Sequence, residues 1–258
     1  MLLEPVQFLL GAVSGGVVGF TLGLFGGGGS ILAVPLMVYL VGVPLPHVAI
    51  GTSAFAVAVN AAFNLFAHAR RGNVIWRCAI MYAGAGVLGA LVGSSLGKAI
   101  PAQHLLLLFS VLMAAMAVNM FRKRGDVGVI GASCNREKAP KVVAYGGATG
   151  ILSGFFGIGG GFLIVPGLVS STGMPILNAI GSSLFAVMAF GLTTAASYAF
   201  SGLVDWYLAI VFVAGGAIGG IAGTQLATVL AARQRMLTVL FTGIILAVAG
   251  YVAIRSII

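Results

Sequence analysis

The stretch Phe25-Gly26-Gly27-Gly28-Gly29-Ser30-Ile31-Leu32-Ala33-Val34-Pro35 returns, slightly altered, as Phe156-Gly157-Ile158-Gly159-Gly160-Gly161-Phe162-Leu163-Ile164-Val165-Pro166. The copies lie 131 positions apart. At the same offset upstream, Gly15, Gly16, Gly19 and Gly23 fall on Gly146, Gly147, Gly150 and Gly154; downstream, Gly42 and Pro44 fall on Gly173 and Pro175. One residue is then lost, and an offset of 130 pairs Gly51, Ser53 and Phe55 with Gly181, Ser183 and Phe185. It also pairs Gly72, Val74 and Trp76 with Gly202, Val204 and Trp206, then Gly86, Gly89 and Gly93 with Gly216, Gly219 and Gly223. A single indel over about 110 residues is too orderly for chance agreement between glycine-rich stretches, so the chain reads as a duplicated half.

The composition around these stretches places them in a membrane. Apolar residues make up 60% and charged residues 7% of the 258, where soluble domains hold about 45–50% and about 25%. So few charges cannot cover a water-facing surface, and apolar runs of about 20 residues, the length that crosses a bilayer, recur throughout. Forty glycines suit close helix packing in lipid. The short alternating strands of a β-barrel are absent. The net charge of +9 is concentrated in the stretch 122–141 and at the ends of apolar runs, as in cytoplasmic loops. No basic groove with interleaved aromatics accompanies it, so nucleic acid is not expected as a partner. The first 25 residues carry Glu4 and no basic n-region, and read as a retained span. Cys78 and Cys134 supply neither a disulfide framework nor a zinc site. Cys78 is read as a buried small hydrophobe and Cys134 as an ordinary linker thiol.

Each copy holds five apolar segments, about 6–25, 31–43, 47–69, 74–97 and 103–121, then about 142–156, 162–172, 174–200, 204–230 and 234–254. The predicted organisation is a first membrane repeat over 1–121, a basic cytoplasmic linker over 122–141 and a second repeat over 142–258. With the linker inside, the loop carrying Arg70, Arg71 and Arg77 also faces inside and Lys98 outside; Asp205 then faces outside, and Arg233 and Arg235 inside. Homologous loops thus carry opposite charge, as expected if the halves are inverted relative to each other. The expected fold is an all-α polytopic membrane protein with glycine-tipped helical hairpins meeting near the midplane. As helices, segments 142–156 and 162–172 would be about 23 and 17 Å long, against a hydrocarbon core of about 30 Å. A re-entrant hairpin is therefore preferred to two separate crossings, without changing the parity.

The glycine clusters are the first candidates for chemistry. Each precedes a helix whose N-terminal N–H groups and dipole attract anions, and glycine lets a ligand reach the backbone. Gly26, Gly28, Gly29 and Ser30 form one candidate tip; Gly157, Gly159, Gly160 and Gly161 form the other. Thr52, Ser53, Asn60 and Asn64, opposed by Ser182, Ser183 and Thr194, supply polar groups suited to an oxyanion. The competing reading is that the glycines only permit a tight turn and the hydroxyls only bond between helices. The G-x-x-x-G series at Gly15, Gly19 and Gly23 and at Gly215, Gly219 and Gly223 are read as helix-packing faces. Glu4, Asp126, Glu137 and Asp205 all fall outside the apolar segments, so no intramembrane carboxylate is available for proton coupling. His47, His68 and His104 lie near segment ends and are read as interfacial. Neither a catalytic triad, a Walker pattern nor a metal set is present; no enzyme activity, cofactor or metal is expected.

The duplicated F-G-[IG]-G-G-[GS] hairpins, Pro44 and Pro175, and the G-[TS]-S motifs Gly51-Thr52-Ser53 and Gly181-Ser182-Ser183 resemble the TauE/SafE family of membrane proteins. The resemblance covers both halves and omits the linker. It departs at Gly27 and Ser30, where the second half has Ile158 and Gly161. It implies export of sulfite or organosulfonates across the bacterial inner membrane, without selecting one anion. The expectation is a secondary transporter whose partners are a small anionic substrate and the bilayer; assembly into a homo-oligomer is compatible with it. A passive anion channel and a non-transporting scaffold are the alternatives.

Overall fold

In a bilayer the backbone has no water to bond, so a spanning chain must close its own hydrogen bonds as helix. The computed structural model describes residues 5–122, 134, 137–157, 161–230 and 234–257, and these contain helices and short connections with no strand. The first copy holds α1 (Pro5–Phe25), a 3-10 turn (Gly26–Leu32), the short α2 (Ala33–Pro35), a π turn (Leu36–Leu40), α3 (Pro46–Arg70), α4 (Trp76–Lys98) and α5 (Ala102–Arg122). The second holds α6 (Ala139–Phe156), α7 (Gly161–Thr172), α8 (Ile176–Ala199), α9 (Trp206–Leu230) and α10 (Gln234–Ile257). Among the described residues, Pro5–Phe25, Pro46–Arg70, Trp76–Lys98, Ile176–Ala199 and Trp206–Val229 are long and apolar enough to cross a membrane.

The backbone repeats along with the sequence. Gly26 and Gly157, at the ends of α1 and α6, have φ of +63° and +66°. That left-handed conformation stops a helix and favours glycine. The segment after it differs between the copies. α7 runs on through Pro166, whereas the first copy changes from 3-10 to α and then widens to a π turn directly after Pro35. Proline has no N–H to give the helical ladder, which favours such irregularity.

Packing exchanges partners between the copies. α1 lies along α9, and α4 along α6. A Cβ on Gly15, Gly19 or Gly23 would run into the backbone of Phe212, Gly216 or Gly220; one on Gly215, Gly219 or Gly223 would meet Ala12, Gly16 or Phe20. The two expected packing faces therefore pack on each other, with their helices running in the same direction. α4 and α6 do likewise, with Gly89, Gly93 and Gly97 against Gly147, Ile151 and Phe155. Lipid tails are as apolar as leucine, so helices associate in a bilayer through this kind of close contact. α3 and α8 pack together in opposite directions. Gly51 near the start of α3 meets Leu203 beyond the end of α8, while Gly181 near the start of α8 meets Asn73 beyond the end of α3. α5 pairs with α10. Large apolar side chains such as Leu9, Leu88, Ile210 and Ile218 are left exposed on the outside, as lipid contact requires.

Cys78 is buried as expected, but the reading of Cys134 as an ordinary linker thiol is overturned. Cys78, near the start of α4, and Cys134 form a disulfide across 56 residues, with Cα atoms 5.5 Å apart. Cys134 is 1% exposed, so part of the stretch read as a loop returns onto the bundle. Lys138, just before α6, also donates to the Thr172 carbonyl at 2.9 Å. Two cysteines so far apart in sequence carry no local signal of their meeting.

Candidate functional site

The first glycine tip is seated on the opposite copy. A Cβ on Gly26 would stand 2.7 Å from the Ile180 carbonyl and 2.8 Å from Ser183 Oγ, at the start of α8. The Gly27 N–H donates to Ser183 Oγ at 3.0 Å, and Ser183 Oγ donates to the Ile180 carbonyl at 2.7 Å. Ser30 Oγ closes the turn by donating to the Gly27 carbonyl at 2.9 Å. Gly28 and Gly29 lie within the same turn. In the second copy, a Cβ on Gly157 would run into the Ile50 side chain on α3, and Ile50 and Ile180 are equivalent positions. Each tip thus leans on the other copy's third helix, and the Gly26–Leu32 turn packs against α7. Gly161 opens α7; Gly159 and Gly160 lie outside the described residues.

Several of the predicted polar residues hold connections in place. Thr52 Oγ1 accepts from the Asp205 N–H, and its equivalent Ser182 Oγ accepts from the Ile75 N–H, both at 2.9 Å. Ser53 Oγ donates to the Ile50 carbonyl at 3.0 Å. Asp205 caps α9 by accepting from the Leu208 N–H at 3.0 Å, the usual work of an acid at a helix N-terminus.

The buried polar groups without such duties are deeper in the bundle. Asn60, Asn64 and His68 stand one turn apart on one face of α3, all buried. Among the described residues neither atom of the Asn60 amide has a hydrogen-bond partner, and the amide lies against Gly216 of α9. Asn64 Nδ2 donates to the Asn60 carbonyl, and Asn64 Oδ1 accepts from Thr224 Oγ1, both at 2.9 Å. His68 Nε2 is 3.2 Å from the Gly23 carbonyl in the last turn of α1, and Nδ1 is 3.4 Å from Asn73 Nδ2. His68 was expected at the interface but is fully buried, because α1 and α9 both cover the end of α3. The i, i+4, i+8 spacing of Asn60, Asn64 and His68 was the available signal. The equivalents on α8 are Phe190, Thr194 and Tyr198. Among the described residues, the Thr194 hydroxyl and the Tyr198 hydroxyl are buried and without a partner.

Each end of this system carries a cation that joins the copies. Arg71 donates to the Thr224 carbonyl at 2.8 Å. Lys98 Nζ donates to the Ser197 carbonyl at 3.0 Å and to Ser201 Oγ at 3.1 Å.

The family model described as "Sulfite exporter TauE/SafE" matches residues 11–252. A "Probable membrane transporter protein" of Xylella fastidiosa (strain Temecula1) is 52% identical over 249 residues, covering 94% of each chain. The "Probable membrane transporter protein MJ0441" of Methanocaldococcus jannaschii is 31% identical over 193 residues, 71% of this chain and 68% of its own. The "Probable membrane transporter protein YdhB" of Bacillus subtilis is 26% identical over 231 residues, 87% and 89% of the two chains. No solved structure matches.

Proposed function

We propose, for a chain that belongs to the sulfite exporter TauE/SafE family and is thus a multi-pass membrane transporter, that its cargo is a small sulfur-containing oxyanion such as sulfite or an organosulfonate. It acts as a secondary transporter of the bacterial inner membrane, built from inverted halves over 1–121 and 142–258, with the linker 122–141 in the cytoplasm. The observation that carries this reading is the seating of each glycine tip on the opposite half, with the two hairpins in contact and unpartnered buried polar groups deeper in the same bundle. The antiparallel pairing of α3 with α8 supports the inversion.

The roles divide according to which atoms are free. The tip glycines Gly26, Gly28, Gly29, Gly157, Gly159, Gly160 and Gly161 let the anion approach the backbone, although the Gly157 N–H is itself held by the Gly154 carbonyl. The Asn60 amide and the Thr194 hydroxyl offer donors that no other group among the described residues uses. Ser30, Thr52, Ser182 and Ser183 position the tips and loops, since their hydroxyls are already engaged. Ser53 and Asn64 back the same surfaces. Neutral donors suit a cargo that must be released again, because a fixed counter-charge in the membrane would hold it too tightly. Alternating access follows if the halves rock about such a site.

The test is flux in proteoliposomes of the full chain, comparing sulfite with sulfate, thiosulfate and taurine. Saturable uptake with counterflow is expected for a sulfur oxyanion. Non-saturating flux without counterflow would indicate a channel, and no flux of any of the four would overturn the reading.

A further inference from the structure

We infer that His68 couples anion movement to a proton, which it takes up at Nδ1 from the linker side. The inference rests on the transport reading above and adds the coupling ion to it. Of the groups that ordinarily gain or lose a proton near neutral pH, His68 is the one fully buried within a span among the described residues.

The geometry assigns the proton. A carbonyl can only accept, so the contact with Gly23 places a hydrogen on Nε2 and leaves the lone pair on Nδ1. That lone pair faces Asn73 Nδ2 in the α3–α4 loop, which is only half-buried. Water on the linker side therefore lies one side chain away from the basic nitrogen. Protonation changes Nδ1 from acceptor to donor, and Asn73 matches it by turning its amide oxygen inward. The proton stays on the ring until the anion departs, then returns to water.

The same geometry links that proton to the cargo. Gly23 belongs to the last turn of α1, three residues before the tip at Gly26. The carbonyl end of α1 meets the ring through Gly23, and such an end favours a cation. Against this stand burial and the positive charge of Arg71, three residues along, whose guanidinium bonds Thr224. Arg70 sits over the Phe66 ring, and α1, α8 and α9 bring no carboxylate to the site among the described residues. A protonated His68 thus lacks a counter-charge until an anion occupies the tip. Proton and anion bind better together than apart, and the coupling is reciprocal. The equivalent of His68 is Tyr198, so this function belongs to one half.

The experiment compares the purified full chain with His68→Gln, whose amide can still donate to Gly23. Adding sulfite in weakly buffered detergent, with a pH dye, should produce proton uptake in the native protein that is lost in the variant. The anion's own titration cancels in the difference. In proteoliposomes, sulfite flux should rise as linker-side pH falls from 8 to 6 in the native protein, and in His68→Gln should follow only the sulfite species present. Equal proton uptake, or parallel pH profiles, would overturn the inference. Should His68→Gln fail to insert, Asn73→Ala removes only the Nδ1 partner; it should shift the midpoint of the pH profile, and an unchanged midpoint counts against the assignment. A native protein that moves sulfite without pH dependence beyond that of the anion defeats this inference alone. Absence of flux for every test anion defeats the transport reading instead.

Discussion

Asn60 distinguishes a structural from a functional polar residue by sign. A buried amide with no partner costs stability, and removing it along with its polarity relieves that cost. Asn60→Ala should therefore leave the melting temperature in detergent unchanged or higher, while weakening sulfite binding by about 1 kcal/mol or more, the usual net value of a hydrogen bond. A large drop in melting temperature with unchanged affinity would assign Asn60 to packing. The tips make the opposite demand. Gly29→Val should abolish flux in protein that still inserts, because the side chain stands where the anion must approach the backbone. Normal flux from that variant would reduce the tip to a turn. Ser183 shows what the amino acid sequence alone could not reveal. Its hydroxyl looked free for a ligand, yet it is spent on Gly27 and Ile180.

At the scale of the elements, the glycines separate into those whose added Cβ would meet a neighbour and those whose added Cβ would not. Gly19 faces the Gly216 carbonyl so closely that a methyl group must part α1 from α9. Gly147, on α6, has nothing within 4 Å of an added Cβ. Gly19→Ala should lower the melting temperature with little change in flux per folded molecule. Gly147→Ala should be neutral or stabilising by up to about 1 kcal/mol, since alanine is the better helix former. Equal melting temperatures for the two variants would contradict the packing described. Gly19 belongs to the G-x-x-x-G series of Gly15 and Gly23, whereas Gly147 lies beside the series of Gly146, Gly150 and Gly154, and the nearness of another backbone follows that difference. The linker offers a second test of an element. Protein isolated without reductant should contain no reactive thiol even after denaturation, because Cys78 and Cys134 are paired. Two thiols per chain under those conditions would show that the stretch does not fold onto α4. Closing a loop of 56 residues is worth about 4 kcal/mol in the chain-entropy account, so Cys78→Ser should be detectably less stable than oxidised native protein.

For the whole molecule, inversion of the halves has a direct test. In a background lacking both native cysteines, Asn73→Cys and Ser201→Cys should be labelled by an impermeant reagent from opposite faces of the membrane. Labelling from one face would make the halves parallel and remove the midplane site. The membrane class and the long apolar helices were legible in the sequence, because each follows from composition or from a period along one stretch of chain. Apolar length sets a span, and positive-φ glycine ends it wherever the chain lies. Which helix meets which was settled only in three dimensions. In lipid the contacts between helices are backbone against glycine, and one such face fits many others, so nothing local pairs α1 with α9 or α4 with α6. The burial of His68, the joining of Cys78 to Cys134 and the engagement of Thr52, Ser182 and Ser183 all depend on that choice of partners. They are properties of the tertiary structure because each requires residues from 45 to 156 positions apart to meet.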